Sequence, residues 1–139
     1  MTTTYISDPR VDEIAAKVIN EVATKNEWDD IPKIKYLVKV AENSRVNGQC
    51  SRATGKWKIL TGFDYVIEVW SVFWDSASDS QKEALLFHEL MHIISSEDED
   101  GEITWRLQDH DVEEFIYVVK KYGIWNHALE SLINAAKQE

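Results

Sequence analysis

Cys50 is the only cysteine in the sequence, so no disulfide can form within the chain. A lone thiol suits a reducing compartment, and the cytoplasm is the expected location. No stretch approaches the ~20 consecutive apolar residues that a bilayer-spanning helix needs, so no membrane segment is expected. The segment Met1–Asp8 has neither the basic start nor the apolar core of a secretory signal. Basic residues are also scarce: 15 Lys and Arg stand against 25 Asp and Glu, a net charge of −10. That balance disfavours direct attraction to nucleic acid or anionic lipid. Solubility accounts for it, although an acidic surface that imitates DNA would carry the same charge. Neither a linker nor an internal repeat is visible.

What is present argues for a packed globule. Apolar residues make up 44% and aromatics 11%, with six Trp, which is too rich for a disordered chain. A chain of 139 residues suits one domain with one core of moderate size, and residues 1–139 are read as a single unit.

The chemistry concentrates in His88-Glu89-Leu90-Met91-His92. On a helix, residues four apart share a face, so His88 and His92 would aim two imidazoles at one point. Glu89 stands one step round, able to touch a ligand there without coordinating it. Two neutral imidazoles on a metal, with a carboxylate to take a proton from water, is the arrangement of zinc peptidases. The flanking sequence supports a helix over 80–94. Ser80 and Glu83 have capping-box spacing, Asp79 adds charge at the start, and no Pro or Gly interrupts Gln81 to Ile94. Leu86, Leu90 and Ile93 form an apolar stripe widened by Phe87, Met91 and Ile94. Two histidines packed in a core helix are the bland alternative, but imidazoles and a carboxylate inside a buried helix need partners, which a metal supplies.

Around this stretch the chain reads as mixed helix and strand. Asp8 caps a helix with Pro9 at its first position, and Val11, Ile14, Ala15, Val18 and Val22 recur at helical spacing to about Lys25. From Lys33, Ile34, Tyr36, Val38 and Val40 alternate with lysines as in a half-buried strand. Asn47-Gly48 is a turn signal, and Gly55–Thr61 is a second strand candidate stopped by Gly62. Phe63–Trp74 is the most β-prone run and is read as the strand before the His88–His92 helix. In zinc peptidases a strand at this place borders the cleft and can pair with an extended peptide. Ser95–Glu102 is an acidic loop. Position six after Gly101 is Leu107 rather than a Glu, so it fails as a calcium loop and reads as a solvated turn. Ile103–Leu107 is a short extended segment. A helix follows from Asp109 to Tyr122, with Gly123 stopping it. Asn126 caps a last helix, whose Leu129, Leu132, Ile133 and Ala136 are expected to face inward. The fold class is therefore α+β: a short, mainly antiparallel sheet packed with an N-terminal helix, the His88–His92 helix and C-terminal helices.

Catalytic zinc usually has three protein ligands. Two histidines remain for the third, His110 and His127. His110 comes at a suitable distance after His92, at a helix start, with Asp109 and Asp111 beside it to orient its second nitrogen. His127 sits by a helix cap near the end of the chain and reads as a surface residue. His110 is favoured, with Glu113 and Glu114 as the carboxylate alternatives.

These motifs together resemble the phage metallopeptidase family. The resemblance rests on Lys82–His92, the acidic loop with Asp100-Gly101, His110-Asp111-Val112-Glu113-Glu114-Phe115 and Lys121-Tyr122-Gly123-Ile124-Trp125. The Ile34–Leu37 strand and the preceding helix also fit, so most of the chain is covered. The resemblance implies a small zincin encoded by a phage or prophage, with His88, His92 and His110 on one zinc ion and Glu89 as base. The SprT-type proteases are more distantly similar; they act near DNA, whereas this chain has no evident basic patch.

The expected activity is hydrolysis of a protein or peptide substrate by water activated at the metal, with Glu89 as proton acceptor. Tyr117, Tyr122, His127 and Arg106 are the candidates for a further donor to the oxyanion. Two readings compete with it. One is a zinc-containing acidic binding or anti-defence protein without peptidase activity; the other is a SprT-like stress protease.

Overall fold

The computed structural model describes residues 3–42, 47–109, 120–123 and 127–138. The chain groups into two compact units, Met1–Gln108 and Asp109–Glu139. The first is an α+β unit built on a four-stranded sheet.

After a short strand β1 (Thr4–Ile6), the helix α1 (Pro9–Lys25) starts where its cap dictates. The Asp8 carboxylate accepts the Arg10 amide at 3.0 Å, and Pro9, which has no amide to leave unsatisfied, opens the first turn. Val11, Ala15 and Val22 are its buried face. Strand β2 (Ile34–Val40) buries Tyr36 and Val38, as the alternation predicts.

Strand β3 (Gly48–Arg52) begins at the glycine of Asn47-Gly48, and residues 43–46 before that pair lie outside the described residues. Gly48 pairs with Val69 in the ladder, and the Asn47 carbonyl accepts the Trp70 amide at 2.9 Å. The glycine is there for space. A Cβ on it would stand 3.0 Å from the Glu68 carbonyl oxygen and 3.2 Å from Leu85 Cδ1.

The expected strand at Gly55–Thr61 is instead a helix, α2, ended by Gly62 in the left-handed conformation. The alternation of Lys56, Trp57, Lys58 and Ile59 covers no core, since Trp57, Ile59 and Leu60 all point to solvent. The neighbouring strand β4 (Tyr65–Trp70) is paired on both sides, parallel to β2 and antiparallel to β3. The β-prone run therefore stops at Trp70, and the rest of it becomes the short helix α3 (Ser71–Ser76), which buries Trp74.

The sheet order is β1-β2-β4-β3, with β1 and β3 at its edges among the described residues. Helix α4 (Asp79–Met91) packs with α1 over the buried face of the sheet. Tyr65, Ile67 and Val69 from β4 meet Val11 and Ala15 from α1 and Leu86 and Leu90 from α4 in one core. At ~25 cal/mol per Å2 of apolar surface, each such buried side chain contributes roughly 1.5–3 kcal/mol. The cap of helix α4 lies two residues before the expected one. Ser78, not Ser80, makes the capping box: its Oγ accepts the Gln81 amide at 3.2 Å, and its own amide donates to Gln81 Oε1 at 2.9 Å. Both serines have a suitable residue three positions on, so spacing could not choose between them.

Helix α4 also ends before the expected Ile94. His92 is its C-cap, and Ile93 opens a hairpin of β5 (Ile93–Glu97) and β6 (Ile103–Leu107). Of the expected loop Ser95–Glu102, Ser95 to Glu97 belong to β5 and only Asp98 to Glu102 form the hairpin tip, where the Asp98 carboxylate accepts the amides of Asp100 and Glu102 at 2.9 and 2.8 Å. In the second unit, the helix α5 (His127–Lys137) matches the expected last helix, but Leu132 and Ala136 are exposed rather than turned inward. Residues 120–122 are helical and Asp109 is not; residues 110–119 of the expected helix lie outside the described residues. Among the described residues, no helix is long and apolar enough to cross a membrane.

Candidate metal centre

The last turn of α4 carries three ligand-type side chains that converge. One ligand atom each from His88, Glu89 and His92 lies within 4.8 Å of the others, which is close enough for one metal ion. Glu89 Oε1 is 3.8 Å from His88 Nε2 and 3.9 Å from His92 Nε2. The rings of His88 and His92 stand 5.2 Å apart at a steep angle, so neither stacks over the other.

The three groups differ in environment. The His88 side chain is half exposed, whereas that of Glu89 is only 5% exposed. Glu89 Oε2 is fully buried and has no hydrogen-bond partner among the described residues. Burial pushes the Glu89 carboxyl above its ordinary pKa, and the nearby His92 opposes the rise. Burying a charged group in this way is costly unless something compensates it. A cation between the imidazoles would do so, and the donor set of two imidazoles beside a carboxylate fits such an ion.

His92 is oriented from behind. Its Nδ1 lies 2.7 Å from the Gln108 carbonyl oxygen and donates to it, which places the ring proton there and the lone pair on Nε2. The Gln108 amide in turn donates to the His92 carbonyl at 2.7 Å, and Gln108 Nε2 donates to the Met91 carbonyl at 2.6 Å. Gln108 follows directly on β6, so the hairpin returns the chain to the end of α4. Asn26 and Trp28 reach the same end from the far side. Sequence reasoning missed all three, because no local pattern marks a residue that bonds main chain some 16 to 67 positions away.

Strand β3 passes over Glu89. A Cβ on Gly48 would lie 3.4 Å from Glu89 Cγ. Cys50, two residues on, is pushed up to about 12 by burial first and then by the charge of Glu89. Its thiol is inert packing at neutral pH.

His110, Glu113, Glu114 and Tyr117 lie outside the described residues. Tyr122 and His127 belong to the second unit and are exposed within it. Arg106 is an exposed residue of β6 whose carbonyl oxygen accepts the Tyr65 hydroxyl at 2.7 Å.

No curated protein and no solved structure matches the chain. One family of proteins, described as "Putative phage metallopeptidase", does match, and over residues 3–137, nearly the entire sequence. The three groups at the end of α4 could hold the metal that this description calls for, and the chain belongs to that family.

Proposed function

We propose that the chain is a zinc-dependent peptidase, encoded by a phage or prophage and acting on a protein or peptide substrate in the host cytoplasm. The observation that carries this reading is the Glu89 carboxylate, buried beside two imidazoles with one oxygen unpartnered among the described residues. His88, His92 and His110 would hold the ion, one per chain. A zinc ion there would supply Lewis acidity, making water nucleophilic near neutral pH and polarising the scissile carbonyl.

The protein's own groups do the rest. Glu89 accepts the proton of the attacking water as its oxygen bonds to the carbonyl carbon. It then delivers that proton to the leaving amine nitrogen as the C–N bond breaks. Burial raises the basicity of Glu89, which suits a group that must take and return a proton near neutral pH. Gln108 keeps His92 in the tautomer that can coordinate. Strand β3 is an edge among the described residues and runs over Glu89, so an extended peptide added to that edge would pass the base.

An acidic binding or anti-defence protein with a structural zinc would also contain the histidines, but it leaves the buried Glu89 without a role. Elemental analysis of untagged protein, a broad peptide library and the variant Glu89→Gln test the reading together. One zinc per chain, cleavage by the parent and a loss of about 10²-fold or more in Glu89→Gln with zinc retained are expected. Absence of zinc, or full activity in Glu89→Gln, would overturn it; a zinc-loaded parent that cuts no peptide would favour the binding protein. Cleavage stimulated by DNA would favour the SprT-like alternative.

A further inference from the structure

His92 occupies an unusual place for one of a pair of helical histidines: it is the C-cap of α4 rather than an interior residue. The last carbonyls of a helix have no intrahelical partner, and helix ends fray unless something else binds them. Here three successive carbonyls are bound from outside. Met91 O accepts Asn26 Nδ2 at 3.0 Å, His92 O accepts the Gln108 amide, and Ile93 O accepts both Asn26 Nδ2 at 2.9 Å and Trp28 Nε1 at 2.8 Å. The peptide planes on both sides of the His92 Cα are thereby anchored, together with the next one.

Asn26 and Trp28 can do this because of how α1 ends. The Trp28 amide donates to the Ala23 carbonyl at 2.9 Å and the Glu27 amide to the Thr24 carbonyl at 3.3 Å, a Schellman closure. Its left-handed residue is Glu27, with φ 55°, where a glycine would be the easy choice. The reversal places Asn26 and Trp28 beside the same short piece of main chain. The Trp28 ring is further braced edge-on by Trp105 of β6, at 6.0 Å between centroids.

We infer that Asn26 and Trp28 are positioning residues of the metal centre, acting through the main chain of Met91 and Ile93 to hold the His92 imidazole in its coordinating orientation. The inference rests on reading His88 and His92 as metal ligands. His88, one turn back inside α4, has helix on both sides and does not depend on them. The two ligands therefore have separate supports, one from the helix and one from this clasp.

Trp28→Phe is the first probe, since it keeps an aromatic ring beside Trp105 while removing the N–H donor together with the rest of the five-membered ring. Asn26→Ala removes both amide bonds, and Glu27→Gly keeps both donors while relieving the backbone. Each protein is stripped of metal, titrated with Co2+ alone, and scored by its visible absorption bands and by competition with a chelator. Thermal melts of the metal-free proteins are recorded beside them. Trp28→Phe and Asn26→Ala are expected to bind Co2+ about tenfold more weakly, with altered bands. Glu27→Gly should melt higher yet keep the parental affinity and spectrum. Parental affinity and spectrum in a folded Trp28→Phe or Asn26→Ala would overturn the clasp alone. So would affinities that merely follow the melting temperatures across the three variants. A parent that binds no Co2+ would overturn the metal reading and the clasp with it.

Discussion

Gly48 and Glu89 face each other across β3 and α4: a Cβ placed on Gly48 would lie 3.4 Å from Glu89 Cγ. With the Glu68 carbonyl oxygen 3.0 Å and Leu85 Cδ1 3.2 Å from the same point, a methyl group has no room to settle. Backbone cannot step aside as a flexible side chain can. Gly48→Ala should therefore destabilise the protein by about 1–3 kcal/mol, the usual cost of overpacking. Because Leu85, which must give way, stands one turn before Glu89 on α4, hydrolysis should fall further than the lost stability explains. Urea unfolding and steady-state kinetics on the same preparation measure the two effects. A stable, fully active Gly48→Ala would show that β3 and Glu89 are not held together.

The raised pKa of Glu89 has a consequence for stability without metal. The folded protein holds this proton more tightly than the unfolded chain does. The contribution to stability is thus present at low pH, below the unfolded carboxyl's pKa, and is lost as pH rises through the higher folded value. Glu89→Gln cannot ionise and carries no such loss. In chelator-treated protein, the melting temperature of Glu89→Gln minus that of the parent should increase with pH from acid towards neutral. A constant difference would mean that Glu89 is not desolvated in solution.

Removing the metal should lower stability without unfolding the protein. The core of α1, β2, β4 and α4 contains none of the ligand residues, so it does not need the ion in order to pack. Metal present at 100 times its dissociation constant adds about 2.7 kcal/mol, provided the unfolded chain binds it weakly. Melts with and without chelator should both be cooperative, with the chelated protein lower. Outright unfolding by chelator at room temperature would mark a structural zinc of the zinc-finger kind.

Cys50 should resist alkylation. Its thiol is pushed up to about 12, so the reactive thiolate is scarce at pH 8. Mass spectrometry after iodoacetamide treatment should find the native protein unmodified under conditions that modify the urea-unfolded chain. Rapid labelling of the native protein would show that β3 leaves the sheet edge readily.

The sequence alone was enough for the parts of this protein that depend on near neighbours. The Asp8-Pro9 start of α1 and the alternation of β2 work through residues within a turn or two and stand as read, and the His88-Glu89-His92 spacing brings its three side chains together. The family, too, was legible in its motifs. Tertiary structure decided what depends on distant partners. The segment at Gly55 alternates like a strand yet is helical, and its Trp57, Ile59 and Leu60 face solvent, so the alternation has no core to cover. The glycine of Asn47-Gly48 is also set by space, with the Glu68 carbonyl and Leu85 close to where a Cβ would stand. Helix α4 stops at His92 because its last carbonyls find Asn26, Trp28 and Gln108, which only the folded chain brings to them. Local spacing could place two imidazoles on one face of a helix; holding the second one still took contacts that no local pattern encodes.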